Sequence, residues 1–136
     1  MSSFRIFDIA GSGMAAQNVR LNTVASNLAN VNSVAQTPQA TFRARHPVFQ
    51  ALYTGSGSAI APAVRVLGIV ESQAAPLARY EPGNPLADAQ GYVYAPNVNI
   101  VEQLIDMISA ARSYQNNVEM LNTSKELLLA TLRLGQ

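Results

Sequence analysis

Phe7-Asp-Ile-Ala-Gly-Ser-Gly-Met-Ala-Ala-Gln-Asn-Val-Arg-Leu-Asn-Thr-Val-Ala-Ser-Asn-Leu-Ala-Asn-Val31 decides the architecture. Phe7, Met14, Leu21 and Leu28 recur every seven residues. Ala10, Gln17, Val24 and Val31 lie three residues after each. This is the a/d spacing of a helix that buries one stripe against another helix, with Gln17 its only polar member. Gly11 and Gly13 weaken the first turns. The other faces carry Asn18, Asn22, Asn27 and Asn30, and between Ile9 and Phe42 the only charge is Arg20. A helix facing water usually carries more ions, so these faces read as contact surfaces.

The far end of the chain repeats the pattern. Leu104, Ala111, Val118, Lys125 and Leu132 share one heptad position, and Met107, Tyr114, Leu121 and Leu128 the other. Ile108, Gln115, Asn122 and Leu129 widen the stripe. Asn97 or Asn99 is placed to cap the start, and Gly135 to close the end. Neither arm is stable alone in water, because each needs its apolar stripe covered.

All seven prolines fall between Pro38 and Pro96. The chain therefore divides into an N-terminal helical arm (1–36), a β-rich middle (37–96) and a C-terminal helical arm (97–136). The expected fold class is α+β, with the long terminal helices closed into an antiparallel coiled-coil hairpin and a small β-rich segment projecting from one end. Strands are expected at Ala40–Arg45, Ala63–Glu71, Pro76–Tyr80 and Gly91–Tyr94. Turns are expected at Thr54–Ser58 and Glu81–Pro85. A small core is expected around Phe42, Val48, Phe49, Val66, Ile69 and Tyr92. No third helix is present to complete a bundle, so the hairpin's open sides require neighbours.

Composition agrees with that requirement. Only 12% of the 136 residues are charged, and the net charge is +1. An isolated soluble domain covers itself with more charge. Amides are cheaper to bury than ions when they find hydrogen-bond partners. The chain has no cysteine, which excludes disulfides and thiolate metal sites. No run of about 18 apolar residues is long enough for a membrane span. The N-terminus lacks a basic region and carries Asp8, so no cleaved signal peptide is expected.

No catalytic set emerges. His46 is the only histidine and precedes Pro47 in a segment expected to be extended. A small hydrolase using Ser and His46 is the weakest reading. Gly11-Ser-Gly13 and Gly55-Ser-Gly57 do not continue into phosphate-binding patterns. The acids form no calcium loop. Asn122-Thr-Ser124 matches a glycosylation sequon but falls within a helix. Arg43 and Arg45 are an isolated basic pair, too little for a nucleic-acid footprint. No cofactor, substrate or metal is expected.

Leu21-Asn-Thr-Val-Ala-Ser-Asn-Leu-Ala-Asn30 resembles the N-terminal signature of the flagellar rod, hook and hook-associated axial proteins. Pro38 stands where many members have glycine. Phe42-Arg-Ala-Arg-His-Pro-Val-Phe-Gln50, Gly91-Tyr-Val-Tyr-Ala-Pro-Asn-Val-Asn99 and Ser113-Tyr-Gln-Asn-Asn-Val-Glu-Met-Leu-Asn122 resemble the proximal-rod members of that family. The resemblance implies a non-enzymatic structural subunit that polymerises helically in the periplasmic rod and transmits torque. It implies export through the flagellar type III apparatus without cleavage. Implied partners are further copies, the rod proteins FlgB, FlgF and FlgG, and the adaptor FliE.

The expected assembly interface comprises Met14, Asn18, Leu21, Val24, Asn27, Leu28, Asn30 and Val31 on the first arm. On the second it comprises Leu104, Met107, Ala111, Tyr114, Asn116, Asn117, Val118, Leu121 and Leu128. The amides are expected to bond between helices or subunits, since buried amides need partners. The competing class is a helical adaptor or secretion chaperone, which shares the heptads but needs neither a β-rich middle nor a helix at each terminus.

Overall fold

A computed structural model describes residues 2–54 and 61–135. Its elements run α1 (Ser2–Ala29), β1 (Arg45–Thr54), β2 (Ala61–Glu71), β3 (Leu77–Tyr80), β4 (Tyr92–Ala95) and α2 (Ile100–Leu134). The class is α+β: two terminal helices and two small antiparallel sheets. The expected turn at Thr54–Ser58 falls largely on residues 55–60, outside the described residues.

The helices are continuous because no proline interrupts them. α1 has 28 residues and α2 has 35, or about 42 and 52 Å at the usual rise. Asn99 caps α2: its Oδ1 accepts from the Val101 and Glu102 N–H groups at 3.0 and 3.4 Å. The alternative cap, Asn97, is not used. Gly135 follows the helix at φ −91°, so it does not supply the left-handed closure expected of it.

The helices meet through residues whose order is opposite in the two elements. Ile6 lies with Leu127 and Leu128 around a shared hollow. Asn117 covers Gly13, where an added Cβ would stand 2.9 Å from Asn117 Nδ2. Arg20 donates to Asp106 at 2.7 Å. Asn27 donates to Gln103 at 2.8 Å. From Gly13 to Asn27 and from Asn117 to Gln103 the chain advances equally, so the pairs keep step.

β1 and β2 form a two-stranded ribbon, paired from Arg45–Glu71 to Thr54–Ala61, with an irregularity between Val48 and Phe49. β1 begins at Arg45, where the expected first strand ends. Residues 40–44 are instead a bend that tucks Thr41 and Ala44 into the interior. Pro47 is tolerated within β1 because this ribbon has no central strand. The expected core of the middle segment is also displaced. Phe42, Val48 and Val66 are half-buried, Phe49, Ile69 and Tyr92 are exposed, and Thr41, Ala44, Val93 and Ala95 are buried. α1 lies against the ribbon on one side, and with only two strands and no further layer the other face has nothing to pack on.

The second hairpin pairs Leu77–Ala95 to Tyr80–Tyr92. Ala35 bridges β4 through reciprocal bonds with Tyr94, each 2.9 Å. β4 thus lies between β3 and the segment leaving α1, which is why Val93 is fully buried.

Candidate assembly surface

The apolar pattern of α1 divides between two uses. The residues that meet α2 include Ile6, Gly13, Arg20 and Asn27, seven apart, with Ala10 and Val24 buried beside them. That row is one residue N-terminal to the Phe7, Met14, Leu21, Leu28 row expected to face the partner helix. The whole Phe7 row is only half-buried. Ile6, Gly13, Arg20 and Asn27 occupy the contact in its place, beside Ala10 and Val24 of the second expected row, and Gln17 Oε1 of that second row is buried without a hydrogen-bond partner. Such a group is costly to leave unmatched.

α2 shows the same division. Gln103 and Ala110 are its buried residues, and Asp106, Ser113, Asn117 and Ser124 are half-covered on the same side. Large apolar residues point elsewhere: Ile100, Val101, Leu104, Ile105 and Ile108 are all exposed. Their spacing of i, i+1, i+4, i+5 and i+8 places them on one face of the helix, turned away from the Gln103–Ala110 side. Towards the C-terminus, Met120, Leu127, Leu129, Leu132 and Leu134 are exposed as well.

In the single chain the expected interface residues differ in burial. Val24 and Asn27 are buried inside the chain. Asn30 donates to the Ser26 carbonyl of its own helix at 2.8 Å. Met14, Leu21, Leu28, Val31, Met107, Ala111, Asn117, Val118, Leu121 and Leu128 are half-buried, and of these Asn117 and Leu128 lie in the contact between the helices. Asn18, Leu104, Tyr114 and Asn116 are exposed. Ile100, Val101 and Ile105 were not among the expected residues. Their signal is in the sequence: adjacent apolar pairs at 100–101 and 104–105 are too broad for one heptad seam.

Elsewhere, polar groups serve the fold. Asp88 clasps the second hairpin: Oδ1 accepts from the Gln90 and Tyr92 N–H groups at 2.8 and 2.9 Å, and Oδ2 from the Tyr94 hydroxyl at 3.3 Å. The Tyr92 N–H is the main reason its carboxyl is held below the ordinary carboxylate range. Burial, then the Asp88 charge, pushes the Tyr94 phenol up. Arg43 donates to the Ser72 carbonyl at 3.3 Å, and Arg45 lies 3.6 Å from Glu71 and over the Phe42 ring. Both arginines of the basic pair thus have partners within the chain. His46 is exposed in β1. Among the described residues, no three His, Cys, Asp or Glu cluster to hold a metal, and no helix is long and apolar enough to cross a membrane.

Comparison with known proteins agrees over the whole length. Residues 7–35 match the family model described as flagella basal body rod protein. Residues 89–134 match the one described as flagellar basal body rod FlgEFG protein C-terminal. The chain is 52% identical to flagellar basal-body rod protein FlgC of Salmonella typhimurium and 51% to that of Escherichia coli O6:H1, covering 100% of both chains in each case. Identity to FlgC of Aquifex aeolicus is 38%, over 96% of each chain.

Proposed function

The chain belongs to the FlgC family of flagellar basal-body rod proteins, and on that premise we propose how it builds the rod. It is a structural subunit of the basal body. Its helices form an antiparallel coiled-coil hairpin, with residues 1–36 and 97–136 as the two arms and 37–96 as the projecting middle. Subunits polymerise helically, side by side, through the hairpin faces left open in the single chain.

The observation that carries this reading is the exposed apolar face of α2 at Ile100, Val101, Leu104, Ile105 and Ile108. A patch of this kind marks an interaction surface. Covering it along many parallel hairpins makes a shaft that resists twisting and transmits torque. The interface also takes in the half-buried residues Met14, Leu21, Leu28 and Leu121. The neighbours are further copies, FlgB, FlgF, FlgG and FliE, in the periplasmic rod, reached through the flagellar type III apparatus without a cleaved signal peptide. Activity as an enzyme is not part of this function. A client-binding adaptor is disfavoured by the rod relatives matched over the full chain.

The test is removal of residues 1–30 from a tagged chain. The shortened chain is expected to be absent from purified basal bodies. Its incorporation at normal levels sinks the proposal, and stable dimers that capture a soluble client favour the adaptor.

A further inference from the structure

One buried amide joins α1, α2 and the first β ribbon. Asn27 is 1% exposed. Its Nδ2 donates to the Arg45 carbonyl at 2.9 Å and to Gln103 Oε1 at 2.8 Å, and its Oδ1 accepts from the Arg45 N–H at 2.9 Å. Both donor hydrogens of the amide are thus used.

Arg45 is the first residue of β1 and pairs with Glu71 of β2. In an antiparallel ladder, alternate residues turn their N–H and C=O outward. Ala44 spends its carbonyl on the Ser72 N–H at 2.7 Å, and Arg45 turns both backbone groups to Asn27. The side-chain amide therefore stands where a third strand's peptide group would stand. At the ribbon's other end, Val64 N–H donates to Ser12 Oγ at 3.2 Å. Ser12 to Asn27 spans about 22 Å of helix, and Val64 to Glu71 about 23 Å of strand. The ribbon thus lies along α1 between two fixings. Of these, the Ser12 bond is single and exposed, whereas the Asn27 bonds are double and come from a buried side chain.

We infer that Asn27 is a positioning residue for assembly: it sets the line on which the β1–β2 ribbon leaves the helices. The Arg45 side chain does not share this role, because its partners Phe42 and Glu71 belong to the middle segment itself. The consequence for assembly rests on the proposed function above; the positioning itself does not.

Hydrogen exchange with mass spectrometry on the full-length chain tests the positioning, and spreading in soft agar tests the consequence. In Asn27→Ala, residues 46–54 and 61–71 are expected to exchange about tenfold faster, the scale of losing a buried hydrogen bond. α2 beyond the turn that holds Gln103 is expected to change by less than about threefold, since α1 and α2 keep their other contacts. Gln103→Ala, which leaves the Arg45 bonds in place, is expected to spare the ribbon. Arg45→Pro and Arg45→Ala both lose the side-chain contacts to Glu71 and Phe42, but only the proline also loses the N–H that donates to Asn27, and proline is tolerated at a strand's first residue. Arg45→Pro is expected to release the ribbon where Arg45→Ala does not, and this comparison decides the matter if Asn27→Ala fails to fold. Equal ribbon exchange in the proline and alanine variants overturns the positioning. A released ribbon with normal spreading overturns the assembly role, and leaves polymerisation through α2 to be judged by its own variants.

Discussion

Ile105→Asp separates a surface made for neighbours from one made for the fold. Ile105 is 62% exposed in the single chain, on the same face as Val101 at 64%. Fully burying an isoleucine contributes about 1.5 to 3 kcal/mol, so covering the exposed part of Ile105 supplies about 1 to 2 kcal/mol at the interface. An aspartate removes that gain and adds the penalty of a carboxylate taken out of water, on the order of several kcal/mol. A combined loss of about 4 kcal/mol per contact lowers an association constant roughly a thousandfold. The single chain has little at stake, because an exposed substitution changes stability by about 0.5 kcal/mol or less. The assay is therefore paired. Thermal unfolding of the purified variant, followed by circular dichroism, is expected to match the unaltered chain. Recovery in purified basal bodies and spreading in soft agar are expected to be lost. Ile105→Ala, which forfeits burial without adding charge, is expected to fall between the two. Normal recovery of the aspartate variant refutes the claim that neighbours cover this face. A large fall in melting temperature instead places Ile105 in the fold and not in the assembly.

Other parts of the molecule give further expectations. A double-mutant cycle on Arg20→Ala and Asp106→Ala is expected to show a coupling of about 0.5 to 1 kcal/mol that shrinks with added salt, because both partners are partly exposed. A coupling indistinguishable from zero at low salt removes that pair as a tie between the helices. Gly91→Ala forces a side chain onto a φ of +85° and is expected to cost about 1 to 2 kcal/mol in chemical denaturation; a neutral result contradicts the backbone requirement. Asp88 contributes stability that is fully present above the ordinary carboxylate range, because its folded pKa is depressed. That contribution is lost as pH falls through the folded value. Stability curves for the unaltered chain and Asp88→Asn should therefore converge in acid and separate above it, and parallel curves rule this out. His46→Ala is expected to swim normally; loss of function with an intact fold reopens a chemical role for His46.

What the residues alone determined was the partition. Proline cannot sit inside a helix without loss of a hydrogen bond and a clash, so two proline-free ends with heptad spacing were legible as long helices. The prolines, glycines and alternating runs between them were legible as strands and turns. The signature around Ser26–Asn32 also pointed to the family, and the need for neighbours followed from two apolar arms with no third. Tertiary structure decided which faces those arms use. Periodicity gives a helix an apolar side but not its rotation about its axis. Here Gly13 lets Asn117 lie close, and Arg20 and Asn27 find Asp106 and Gln103. The contact thus takes in small and polar residues, and the Phe7, Met14, Leu21, Leu28 row is only half-buried. That Asn27 bonds between helices was legible, but its partners were not, because they are Arg45 and Gln103, 18 and 76 residues away. A local pattern cannot report a partner that only the folded chain brings near. That same folding leaves the broadest apolar face of α2 on the outside.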